Sequence, residues 1–120
     1  MNTIALPSLR RYASILAVVL FLAFEASASF AQRLDALAGE GVSEAELNQG
    51  ATIVVFWSTW SPHSRDIVSR INPLVDRWGG TARVVAVNFQ EDRESISSFL
   101  NGKGMKARVL LDPNGTYTRK

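Results

Sequence analysis

The run VVFWSTWSPHSRDIV, residues 54–68, decides how this chain is read. Ala51 to Trp57 (ATIVVFW) is β-branched and aromatic with no polar alternation, which predicts a strand buried on both faces, as in a parallel sheet. Ser58 to Trp60 leaves room only for a loop. Ser61 is a good N-cap, and Pro62 stands at a first helical position, where its missing N–H costs nothing. A helix is therefore expected to begin at Ser61. Ile67, Val68, Ile71, Leu74, Val75 and Trp78 recur on one face of it, so Trp78 is assigned to the core. Pro73 inside the run predicts a kink, and Gly79-Gly80 end it.

Downstream, Arg83 to Asn88 (RVVAVN) reads as a second buried strand, with Phe89 to Asp92 as a loop. Arg93 to Asn101 reads as a helix with Ile96, Phe99 and Leu100 inward, closed by Gly102 and Gly104. Ala107 to Leu111 (ARVLL) reads as a third strand, followed by the turn Asp112-Pro113-Asn114-Gly115. Upstream, residues 32–50 are polar and predict little structure. The exception is a short helix over Glu44 to Asn48, with Ser43 and Glu46 as a capping box and Gly50 as its stop. Strand, helix, strand, helix, strand predicts an α/β fold with right-handed crossovers and a parallel three-stranded core.

The first 31 residues stand apart. Arg10 and Arg11 precede the apolar run Ala13 to Phe24, which is too short to span a bilayer. Small residues follow in Ala26-Ser27-Ala28 and Ser29-Phe30-Ala31. The segment 1–31 reads as an export signal cut after Ala31, with Ala28 the second choice, leaving no membrane anchor. Residues 32–120 then form one domain, exported to the periplasm or the exterior. They carry eleven basic and ten acidic residues, a balance that excludes a nucleic-acid partner.

The chain has no cysteine. Disulfide staples, thiolate nucleophiles, Cys-ligated zinc and iron–sulfur clusters are excluded. With His63 the only histidine, a multi-His metal site is excluded too, and no metal or cofactor is expected.

The stretch 54–68 resembles the active-site segment of the thioredoxin-like superfamily, and more narrowly the exported TlpA-type thiol-disulfide oxidoreductases, or redoxins. In that pattern a buried strand leads through Phe-Trp-x-x-Trp into Cys-Pro-x-Cys and then Arg or Lys. Phe56, Trp57 and Trp60 match the approach, and Pro62, His63 and Arg65 match the interior and follow-on. VVAVNFQED (84–92) and VLLDPNG (109–115) resemble the second strand and a later turn of the family. The resemblance implies a thioredoxin-like three-layer fold. It also implies a chain that stops before the family's cis-proline segment, antiparallel strand pair and last helix, a βαβα unit plus a third strand. The third or central strand would then have an unpaired edge, a route to self-association or to completion by another chain.

Ser61 and Ser64 stand where the resemblance asks for the two cysteines. A serine hydroxyl neither ionises near neutral pH nor forms a disulfide, so thiol-disulfide exchange is not expected. No residue is expected to be catalytic. Hydrolysis through Ser61 or Ser64 would need His63 as base, two residues away in the same turn and expected to point elsewhere. The reading is a redox-inactive binding module or degenerate homologue with a protein or peptide partner. The alternative is a thiol-binding enzyme, glutathione-like in its ligand, that uses Ser61 at the helix N-terminus. Trp57 is assigned to the core, and Trp60 is expected to half-cover the site. Glu91, Asp92 and Glu94 are expected to be a solvated helix start, and Asp112 a turn former. Arg70, Arg77, Arg83 and Arg93 are too dispersed for a polyanion site.

Overall fold

The computed structural model describes residues 32–120, so the export signal read from residues 1–31 lies outside the described residues. Its elements are β1 (Arg33–Ala36), β2 (Val42–Ser43), α1 (Glu44–Leu47), β3 (Thr52–Trp57), a 3₁₀ turn (Pro62–Ser64), α2 (Ile67–Trp78), β4 (Arg83–Phe89), α3 (Arg93–Leu100) and β5 (Arg108–Asp112). They build one sheet in the order β2-β1-β5-β4-β3. β3, β4 and β5 are parallel neighbours in chain order, as the alternation of strands and helices predicts. β1 runs antiparallel to β5, and β2 antiparallel to β1.

The parallel core is therefore not the whole sheet, and residues 32–50 are not weakly structured. Leu34 and Ala36 are buried while Arg33 and Asp35 are exposed, a period-two pattern within four residues. Gly39 has φ 79°, and a Cβ at Gly41 would collide with the Leu34 carbonyl, so the hairpin turn needs glycine at both places. The predicted capping box is present. Ser43 Oγ accepts from the Glu46 N–H at 3.1 Å, and a Glu46 carboxylate oxygen accepts from the Ser43 N–H at 2.7 Å. That second bond, first among its causes, holds the Glu46 carboxyl below its ordinary value.

Successive residues of β4 serve two cores. Val84 and Ala86 pack with Trp57, Ile67, Ile71, Ile96 and Leu111 under α2 and α3. Val85 and Val87 pack with Leu34, Ala36, Val42, Leu47 and Leu110 on the other face. Every residue from Val84 to Asn88 is buried, as a strand enclosed on both sides requires. β3 departs from that expectation. Only Trp57 is buried, and Phe56 is 49% exposed, because β3 ends the sheet. Among the described residues, the strand at the sheet's end is thus the first of the three parallel strands. The third, β5, is covered by β1, and the central one, β4, lies between two partners.

Two expectations about α2 also change. The helix starts at Ile67, after a separate 3₁₀ turn, and not at Ser61. Trp78 is 41% exposed and not part of the core. It is the last helical residue, and its ring stays at the rim with the Arg77 guanidinium 4.9 Å from the ring centre. The helix continues through Pro73. α3 agrees with expectation: Ile96 and Leu100 are buried and Phe99 half-buried. Asp92 caps it by accepting from the Ser95 N–H at 2.8 Å, the main reason its carboxyl is held below its ordinary value.

Candidate functional site

The candidate site is the crossover from β3 to α2. Trp57 ends β3 at 4% exposure, its ring tilted against Phe99 with centres 5.7 Å apart. Two turns follow in succession. The Ser61 N–H donates to the Ser58 carbonyl at 3.4 Å and the Ser64 N–H to the Ser61 carbonyl at 3.0 Å. The buried Ser64 hydroxyl accepts from the Ser58 N–H at 3.4 Å, closing the loop on itself. Ser61 is the N-cap of the 3₁₀ turn only, with extended backbone and no side-chain capping bond. The turn spans three residues, shorter than the helix start on which the thiol-binding alternative was read.

The remaining motif side chains face outward. Pro62, His63 and Arg65 are exposed, and Trp60 is 69% exposed, more open than the half-cover expected of it. Among the described residues, no hydrogen bond joins His63 to Ser61 or Ser64. None of the described residues form a group of three or more potential metal ligands. Arg70 donates to Asp66 one helical turn away at 3.0 Å, which chiefly accounts for the lowered carboxyl of Asp66.

Three relationships in the site exceed what the sequence reading foresaw. Glu91, expected in a solvated acidic run, reaches back to the motif. Its two carboxylate oxygens accept from the Thr59 N–H and the Thr59 hydroxyl, each at 2.5 Å. Its position just past the end of β4, the strand beside the motif strand, was the available signal. Asn88 pairs in register with Trp57 and is fully buried. Neither its carboxamide atoms nor the Trp57 indole N–H has a hydrogen-bond partner among the described residues, leaving a polar seam beneath the loop. Asp112 is a turn former, as expected, but a buried one. Its carboxylate accepts from the Tyr117 N–H at 3.3 Å, and from the Thr118 N–H and hydroxyl at 2.8 and 2.6 Å.

Beside the loop, along the outer side of β3, runs an open groove of about 410 Å³. Its floor is apolar, from Val55, Trp57, Ile67, Ile71 and Leu74, with Arg70 and His63 on its walls. Its shape and lining suit an extended, largely apolar segment.

The sequence profile of the AhpC/TSA family matches residues 23–120. No curated protein matches the chain. Solved structures do. A secreted disulfide oxidoreductase of Mycobacterium tuberculosis, homologous to E. coli DsbE, superposes with a TM-score of 0.61 at 18% identity, covering 71% of this chain and 63% of that one. StoA of Bacillus subtilis gives 0.60 at 20% identity, covering 73% of this chain and 68% of that one. The bacterioferritin comigratory protein of Xanthomonas campestris, studied for alkyl peroxide reduction, gives 0.60 at 17% identity, covering 78% and 59%. The chain thus spans less than two thirds of the Mycobacterium protein's length. At these identities the likeness establishes the fold, which is thioredoxin-like.

Proposed function

The chain belongs to the AhpC/TSA family, and on that premise we propose that it is an exported, TlpA-type thioredoxin-like protein that keeps the frame of a thiol-disulfide site without its thiols, and acts as a binding module for a polypeptide. One observation carries this reading. Ser61 and Ser64 bracket Pro62-His63 directly after Phe56-Trp57-Ser58-Thr59-Trp60, and the chain holds no cysteine. Ser61 is half-open and Ser64 buried, joined by the Ser64 N–H on the Ser61 carbonyl. Attack on a disulfide needs a thiolate at the open position and a second thiol to resolve the mixed disulfide, and neither exists here. What remains is shape: a loop held by Ser64 and Glu91, next to an apolar groove.

The test is an insulin-reduction assay with the purified full chain and a dithiol reductant. The background rate should be unchanged by the protein. Catalytic turnover would overturn the reading.

A further inference from the structure

Of the asparagines among the described residues, Asn101 and Asn114 precede glycine, whereas Asn48, Asn72 and Asn88 do not. Asparagine is a labile residue because the backbone nitrogen that follows it can attack its carboxamide carbon. A following glycine has no Cβ to hinder that nitrogen. By sequence the two sites are alike, and the structure separates them. Asn114 lies in the turn after β5. There the Gly115 N–H donates to the Asp112 carbonyl at 3.0 Å, and the Gly115 carbonyl accepts from the Arg119 N–H at 3.2 Å. Gly115 is buried, and a Cβ on it would come within 2.7 Å of the Phe89 ring. The residues beyond it are held by the Asp112 carboxylate through the Tyr117 and Thr118 N–H groups. The attacking nitrogen is thus engaged, and the space around it is filled.

Asn101 and Gly102 are exposed at the end of α3. The Lys103 N–H donates to the Leu100 carbonyl at 3.0 Å, closing a turn over them. Asn101 has φ −55° and ψ 125°, and Gly102 has φ 72°, which is a type II turn. Among the described residues nothing accepts the Gly102 N–H, and a Cβ at Gly102 would meet nothing within 4 Å. Type I and type II turns differ by rotation of this central peptide, so it can swing toward the carboxamide while the closing bond stands.

We propose that Asn101 is a site of spontaneous deamidation in the folded protein, and that the fold protects Asn114 from the same reaction. The Gly102 nitrogen forms a bond to the Asn101 carboxamide carbon, and the carboxamide C–N bond breaks. The Gly102 amide proton leaves with the amino group as ammonia. The succinimide so formed takes up one water and opens to aspartate or isoaspartate, with nothing oxidised or reduced. The product sets a carboxylate at the C-terminal end of α3, where the helix dipole disfavours negative charge. Isoaspartate also lengthens the main chain in the turn that leads toward β5. The ten acidic residues of 32–120 become eleven, equal to the eleven basic ones, and a net charge of zero promotes association.

The test uses the unaltered full chain, so no variant has to fold. The protein is held in mildly alkaline buffer, with and without denaturing urea. Samples are digested at intervals, and aspartate and isoaspartate at positions 101 and 114 are quantified by mass spectrometry. In the native protein Asn101 should convert at least about tenfold faster than Asn114, whose reaction has to wait for local opening. In urea the two rates should converge. Equal rates in the native protein would overturn the proposal, as would a native Asn101 that stays intact while it converts in urea. A ratio that urea leaves unchanged would do so too, since the difference would then come from neighbouring sequence and not from the fold.

Discussion

The Glu91 carboxylate holds both the N–H and the hydroxyl of Thr59, tying the end of β4 to the loop that follows β3 across 32 positions of sequence. Both bonds are charge-assisted and partly buried, which places them among the stronger kind. Replacing Glu91 by Ala leaves the Thr59 donors without this acceptor, and the expected cost is about 1–3 kcal/mol in a urea titration. Glu91→Gln keeps one acceptor oxygen and should cost less. The local sign is faster hydrogen exchange at the Thr59 amide, and unchanged protection there in Glu91→Ala would refute the role given to Glu91.

Ser61 and Ser64 lie at the two ends of a single turn, where Cα atoms are separated by less than about 7 Å. That separation overlaps the range a disulfide spans. The double variant Ser61→Cys/Ser64→Cys should therefore form an intramolecular disulfide and gain insulin-reducing turnover, with each single variant inert. A double variant that forms the bond yet shows no turnover would mean that more than the thiols has been lost.

Asp112 is buried, and the segment after β5 hangs on its carboxylate. Asp112→Ala strands the backbone donors of Tyr117 and Thr118, for an expected loss of about 1–3 kcal/mol. The tilted contact of Tyr117 with Phe56, with ring centres 6.1 Å apart, should loosen with it. Tyrosine side-chain NMR would report that change alongside the shift in denaturation midpoint.

Ile96 is fully buried between α3 and the sheet, whereas Trp78 is at the rim. Ile96→Ala should cost about 2–5 kcal/mol. Trp78→Ala should stay within about 0.5 kcal/mol, as surface changes do. Equal costs would contradict the placement of Trp78.

Glu46, Asp66 and Asp92 are all held below their ordinary values, 4.5 for the glutamate and 3.8 for the aspartates. A carboxyl lowered by folding stabilises the native state when ionised. Stability should thus be level from neutral pH down to about 5 and fall as these groups take up protons below that. Asp66 and Asp92 are exposed and Glu46 only half-buried, so the slope should be shallow. Asp92→Ser retains a capping oxygen and removes the charge, so it should flatten its share of the slope.

The parallel strands and the two longer helices were legible because their apolar periodicity is long: Val84–Val87 in β4, Ile67 to Val75 in α2, Ile96 to Leu100 in α3. The hairpin of β1 and β2 was not, since six residues with three buried apolar side chains offer too little periodicity against a polar background. Trp78 shows that helical phase reports direction and not reach: it shares the face of Ile71 but sits at the helix end. In the site, the positions of Ser61 and Ser64 were readable from local spacing. The partnership of Thr59 with Glu91, and the placement of Asn88 against Trp57, were not, because both depend on the register in which β3 and β4 pair, which local spacing does not carry.

The same arrangement has a consequence for how the protein folds. β3, β4 and β5 join through crossovers to their sequence neighbours, so each pairing closes a short loop. The pairing of β1 with β5 is different in kind, since Ala36 meets Leu110 across most of the described chain. Closing that long span carries the largest entropic cost of any strand contact here. The parallel unit is therefore the expected nucleus, and docking of the N-terminal hairpin is the late, rate-adjusting event. Until it docks, Leu34, Ala36 and Val42 leave the second core open, and β5 stands in place of the short β2 as the edge of the sheet opposite β3.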